Sequence, residues 1–333
     1  MKSIIAAALL TAAVLAQDDN NPTCSPGPCV SPEVTALESS ECQQYHVFIA
    51  RGSDSGYPGH LGPLVKEICD GLEDCGYENI VYPANSSYAG PGMWCKSAYI
   101  GATAGQEQLK SYAEKCPDSK LILTGFSQGG SVALDILGGG GGPGFHCEDQ
   151  QDSPPLDRNE VPGSHIVAAL VFGAVVRAAD QEYTVELERT LSAGQSAREF
   201  NGTQTRRPES VEAVNAYADI LREYCNAKDP VCAKGGADAS VDEHLNYFDL
   251  YNGDAAKWTI AKATGQDFEE EESSGGQLRG NDNIKESSKT ASGTASATSM
   301  EQNATESATS GAVTFASFSW LLAALPALAC VAL

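Results

Sequence analysis

Positive charge is scarce in this chain of 333 residues: Lys and Arg number 21 against 44 Asp and Glu, a formal net charge of −23. That balance excludes nucleic acid and anionic membrane surfaces as partners, since both are bound through basic patches. Histidine is scarce too, with five in all, so any imidazole chemistry comes from a short roster. There are eleven cysteines but no Cys-x-x-Cys pair, which argues against a zinc site. No metal or other cofactor is implied. Beyond Glu306 there is no charge at all.

The ends read as processing segments. Met1 to Ala16 holds one lysine, a short apolar run and a small-residue finish before Gln17, the pattern of a secretory signal peptide too short to span a bilayer. Residues 312–333 form an apolar tail with no Lys or Arg after it. A spanning helix would normally carry basic residues on its cytoplasmic side, so the tail reads as a GPI-attachment signal, with Asn303 the favoured attachment residue over Ser310. A tail-anchored helix is the alternative. Residues 267–311 are rich in Ser, Thr, Gly, Ala and Glu and nearly empty of large apolar side chains, which predicts a disordered stalk. Residues 17–41 form a Cys- and Pro-containing segment, and 42–266 are left as one folded domain. Removal of Cys330 with the tail leaves ten cysteines, as expected of a disulfide-bonded secreted domain. Sequons at Asn85, Asn201 and Asn303 agree with secretion.

Four apolar runs, at 46–50, 79–82, 120–123 and 165–172, are continuous rather than alternating, as strands covered on both faces tend to be. Helical patterns occupy 62–74, 97–115, 128–137, 209–224 and 245–264. Strands alternating with helices predict a three-layer α/β/α sandwich around a central, mostly parallel sheet.

The stretch Gly125-Phe126-Ser127-Gln128-Gly129 follows the third run and precedes a helical pattern, the strand-turn-helix setting of a nucleophile elbow. Ser127 is therefore a candidate nucleophile, and it needs a base held by a third group. His46 and His165 begin strands and read as sheet-edge residues, and His146 as a surface residue. His60 could line the site but precedes the serine, against the order Ser, Asp, His of α/β hydrolases. His244, opening the final helical stretch after a turn-rich loop, is the candidate base. Asp229, in Cys225-Asn226-Ala227-Lys228-Asp229-Pro230-Val231-Cys232, is either the rigidly held acid or an Asp-Pro turn inside a structural disulfide.

Together, GFSQGG, CNAKDPVC, the histidine after it, ARGSD at 50–54 and Lys115-Cys116-Pro117-Asp118 resemble the fungal cutinase and acetylxylan esterase family of secreted serine esterases. The resemblance spans about residues 42–265 and implies a cutinase-like α/β hydrolase fold. It implies Ser127 as nucleophile, His244 as general base then acid, Asp229 orienting the imidazole, and an oxyanion hole from the N–H groups of Ser53 and Gln128. It also implies disulfides Cys42–Cys116 and Cys225–Cys232. Pairing of Cys69 with Cys75, Cys95 with Cys147 and Cys24 with Cys29 is one choice among several, since connectivity cannot be read from sequence.

The resemblance further implies an ester substrate and no cofactor; a monomer is expected, with membrane contact only through the GPI anchor that the tail predicts. Residues 237–243 are mostly small or acidic, which favours a hydrated acetylated sugar such as xylan over a waxy polyester. Cutinase activity is the alternative, and a GPI-anchored binding module without catalysis the third reading. Two features depart from the acetylxylan branch: Phe172-Gly173-Ala174 stands where Gly-Asp-Pro is usual, and residues 148–164 are acidic. Tyr88, Met93 and Trp94 could bind a sugar or acyl chain, or be packing residues.

Overall fold

A computed structural model of the chain describes residues 30–187 and 190–268, together with the backbone of the paired segments Thr23–Cys24, Gly27–Pro28 and Leu278–Arg279. All lie within the compact unit Met1–Lys285. The signal peptide, the Cys24–Cys29 pair, Asn303 and the apolar tail fall outside the described residues.

The central sheet is built from β1 (Tyr45–Ala50), β2 (Cys75–Asn79), β3 (Lys120–Phe126), β4 (Ile166–Phe172), β5 (Thr184–Leu187) and β6 (Leu221–Tyr224). Their order is β5-β6-β4-β3-β1-β2, parallel throughout. The short segment Leu278–Arg279 adds an antiparallel edge to β5; these two residues belong to the stretch expected to be a stalk. The helices are α1 (Gly62–Asp70), α2 (Met93–Lys115), α3 (Gln128–Gly138), α4 (Pro208–Asn215), α5 (Val241–Leu245) and α6 (Tyr247–Thr264).

Alternate side chains of each strand point to opposite faces, and both faces are covered. Val47 and Ile49 join Leu64, Ile68 and Trp258 in the core under α1 and α6. Phe48 and Ala50 join Leu109, Val132, Ile136 and Val214 in the core under α2, α3 and α4. Two-sided burial explains why these strands read as unbroken apolar runs. The expected three-layer α/β/α sandwich around a mostly parallel sheet is what the chain adopts.

Several elements differ from the expectation. The second strand is Cys75–Asn79 and not 79–82, because β1 pairs in register with Cys75 to Asn79; Ile80 and Tyr82 are buried beyond it. The pattern at 209–224 is a helix only to Asn215, and Leu221–Tyr224 is strand β6. Its Arg222 and Glu223 are buried: Arg222 meets Asp254 at 3.0 Å, and Glu223 lies 3.0 Å from Arg177 Nε. Strand β5 was not expected at all, since Glu186 interrupts its apolar run; it is buried, accepting from Ser196 Oγ and the Ala197 N–H. His46 is not at a sheet edge. It sits in β1 between β2 and β3, fully buried and stacked 3.9 Å from the Tyr112 ring.

Four disulfides are formed among the described residues: Cys42–Cys116, Cys69–Cys75, Cys95–Cys147 and Cys225–Cys232.

Candidate active site

The carboxyl ends of parallel strands gather loops at one edge of the sheet. Phe126, Phe172 and Tyr224 end β3, β4 and β6 in register. Ser127, Gly173 and the loop from Cys225 therefore leave the sheet side by side, with the Gly52–Ser55 turn following β1 beside them.

Ser127 sits between β3 and α3 at φ 56° and ψ −117°, in the left-handed region that side chains other than glycine seldom occupy. Its N–H donates to Phe172 O at 2.8 Å, pinning the turn to β4. The turn closes only because its neighbours lack side chains. A Cβ on Gly125 would lie 2.1 Å from Gly129 O, and one on Gly129 would lie 1.9 Å from Ala50 O. This is the physical content of the Gly-x-Ser-x-Gly spacing.

The structure brings the three residues singled out in the sequence into one chain of contacts. His244 Nε2 lies 3.0 Å from Ser127 Oγ, and His244 Nδ1 lies 2.8 Å from Asp229 Oδ2. Asp229 is fully buried inside the Cys225–Cys232 loop. Its other oxygen, Oδ1, accepts from the Val231 N–H at 2.7 Å. The carboxylate in contact with the imidazole is thus that of the residue before Pro230 in this disulfide loop.

Two participants escaped the sequence reading. The Tyr247 hydroxyl donates to Asp229 Oδ2 at 2.7 Å and accepts from the Asn226 N–H at 3.1 Å. Burial first, then the nearby Asp229 charge, pushes the phenol far above its ordinary range, so it stays a neutral donor. The spacing His244-Leu245-Asn246-Tyr247 was available as a clue, since two residues three apart in a helical stretch can face one another. The second is Gly173, at φ +57°: a Cβ there would lie 2.9 Å from His244 Cε1. The imidazole thus occupies the place of a side chain, which accounts for a glycine at the end of β4.

The two expected oxyanion donors follow β1 and β3. The N–H of Gln128 opens α3, and Ser53 lies in the Gly52–Ser55 turn. The Gln128 side chain is buried and donates to Asn85 O at 2.9 Å and Trp94 O at 3.3 Å.

His60 packs against the Phe126 and Phe248 rings, 5.3 and 6.1 Å between centroids. Burial, with a smaller contribution from His244, lowers its pKa. Trp94 is only 2 % exposed and packs on Phe145, so it belongs to the core, whereas Tyr88 is 79 % exposed. On α5, Val241 and Leu245 are 46 % and 40 % exposed, flanking His244. The rim beside the histidine is therefore more apolar than the run 237–243 suggested. Of the sequons, Asn85 is half-buried and Asn201 exposed. Among the described residues no cluster of His, Cys, Asp and Glu could hold a metal ion.

The profile of the family described as Cutinase matches residues 41–263. Among curated proteins, Cutinase 11 of Verticillium dahliae is 30% identical over 230 residues, covering 68% of this chain and 71% of that protein. Acetylxylan esterase 2 of Talaromyces purpureogenus is 26% identical over 240 residues, covering 71% and 94%. A solved acetylxylan esterase aligns with TM-score 0.54 at 25% identity, covering 67% of this chain and all of that one. A cutinase-like protein from a Cryptococcus species shares the fold, with TM-score 0.51 at 19% identity.

Proposed function

Because the chain belongs to the cutinase family and is a carboxylic ester hydrolase, we propose that Ser127, His244 and Asp229 carry its catalysis and that its substrate is a short-acyl ester of an acetylated polysaccharide such as xylan. The observation behind the mechanism is the chain Ser127 Oγ, His244 Nε2, His244 Nδ1, Asp229 Oδ2, with contacts of 3.0 and 2.8 Å.

His244 Nε2 takes the Ser127 proton as Oγ attacks the ester carbonyl. The tetrahedral oxyanion forms against the N–H groups of Gln128 and Ser53, whose fixed dipoles need no reorganisation at that moment. The imidazolium then protonates the leaving alkoxide, leaving an acyl-Ser127. Water enters, gives its proton to His244 and attacks the acyl carbon; collapse returns the proton to Ser127 Oγ and frees the acid. No step calls for a cofactor.

Short-acyl preference draws support from the acetylxylan esterases among the similar proteins and from the acidic residues Asp238, Asp242 and Glu243 around the approach to His244. A second reading, hydrolysis of cutin or other longer-acyl esters, draws support from the exposed Val241 and Leu245 beside that histidine. Hydrolysis of p-nitrophenyl esters from acetate to palmitate decides between them. The expected result is a rate falling steeply beyond butyrate and abolished by Ser127→Ala. A long-chain optimum would establish the second reading, and substantial activity in Ser127→Ala would overturn the nucleophile assignment.

A further inference from the structure

The two oxyanion donors come from different strands, so something must set their separation. Residues 82–86, just after β2, are hydrogen-bonded to both. On the Ser53 side, the Asp54 N–H donates to Ala84 O at 2.7 Å and the Ser86 N–H donates to Asp54 Oδ1 at 3.2 Å. On the other side, the Gln128 carboxamide donates to Asn85 O at 2.9 Å, and the Asn85 N–H donates to Ser97 Oγ at 3.0 Å. Ser97 Oγ in turn donates to Gln128 Oε1 at 3.3 Å, closing the ring of contacts.

Arg51 ties the Ser53 turn to the same segment. It is 8 % exposed, and its guanidinium donates to Ser55 O at 2.7 Å, Tyr82 O at 2.9 Å and Pro83 O at 3.2 Å. The Tyr57 ring covers it at 4.0 Å, and the Tyr82 ring lies 5.1 Å away. Among the described residues its partners are main-chain carbonyls and aromatic rings, not a carboxylate. Tyr82 OH also donates to the Arg51 carbonyl, so backbone and side chain of Arg51 grip the same segment. A planar fork with donors in fixed directions suits such a latch, and an ammonium cannot reproduce it.

We propose that Arg51 is a positioning residue of the oxyanion hole. With the Gln128 side chain, it fastens both donor-bearing turns to residues 82–86 and so fixes the distance between the Ser53 and Gln128 N–H groups. The inference rests on the oxyanion-hole assignment given above. Donors held loosely stabilise a developing charge poorly, because their dipoles must first be oriented.

The test compares the full chain with Arg51→Lys, Gln128→Met and the double variant; Gln128→Met leaves the main-chain donor in place. Read out are kcat and KM for p-nitrophenyl acetate, Tm, and the rate of inactivation by diethyl p-nitrophenyl phosphate, whose attack by serine also builds negative charge on oxygen. Each single variant is expected to lose about tenfold in kcat, with KM within about twofold and inactivation slowed in parallel. The double variant is expected to lose less than the product of the two, since both release the same segment. Wild-type kcat in Arg51→Lys, multiplicative losses, or a kcat loss with unchanged inactivation would each overturn the proposal while leaving the esterase reading intact. A purely structural role would lower Tm and the active fraction with kcat per active site unchanged, and would overturn it too. Absence of ester hydrolysis by the wild-type chain would instead sink the functional reading itself.

Discussion

At the scale of single residues, Tyr247 carries the sharpest prediction. Its hydroxyl and His244 Nδ1 share one oxygen of Asp229, so the phenol helps hold that carboxylate toward the imidazole. A hydrogen bond to an ionised group is worth about 1.5–3 kcal/mol. Tyr247→Phe should therefore lower kcat by roughly tenfold or more. It should leave KM within about twofold, because the carboxylate acts through the imidazole and not on the ester. A loss of Tm with kcat per active site unchanged would show that the tyrosine serves packing alone. The phenol stays a protonated donor, being pushed well above its ordinary value by burial.

At the scale of elements, the Cys225–Cys232 loop, proposed above to carry the catalytic acid and so called the acid loop, is held by a buried ion pair. The Arg177 guanidinium, 1 % exposed, lies 3.0 Å from Glu223 of β6 and donates to Cys232 O of the acid loop at 3.1 Å. It also donates to Phe200 O at 2.7 Å and Thr184 Oγ1 of β5 at 3.0 Å, tying loop and sheet together. Removing one partner of such a pair typically costs about 3–5 kcal/mol, because the other is left charged and dry. Glu223→Ala should reduce unfolding free energy in urea by that order, and a change under about 1 kcal/mol would show the pair to be dispensable. The same pair explains why β6 was unreadable locally. Arg222 and Glu223 look like solvent-facing helix residues, and only partners distant in sequence make them strand residues.

At the scale of the whole molecule, the domain and its C-terminal extension pose separate questions. We propose that the chain is secreted, on the pattern of Met1 to Ala16, is held at the cell surface by a GPI anchor, on the uncharged apolar tail after Glu306, and acts as a monomer. No helix among the described residues is long and apolar enough to cross a membrane. Phosphatidylinositol-specific phospholipase should release the protein from membranes of expressing cells; persistent retention with the C-terminal peptide intact would overturn the anchor. Released protein should run as a single monomer in size-exclusion chromatography.

The sequence by itself determined the fold class and marked Ser127, His244 and Asp229 as candidates, because the apolar runs, glycines and cysteine spacing that point to them are local patterns. Continuous apolar runs mark strands buried on both faces, glycines at 125 and 129 mark a turn with no room for a Cβ, and a seven-residue cysteine spacing marks a closed loop. The tertiary structure alone decided the remainder. It turned Leu221–Tyr224 into strand, placed His46 inside the sheet, moved Trp94 into the core and exposed Val241 and Leu245 at the rim. It also brought Tyr247 onto Asp229 and Arg51 onto residues 82–86. These outcomes depend on which distant groups compensate a buried charge or fill a buried face, and no local pattern carries that information.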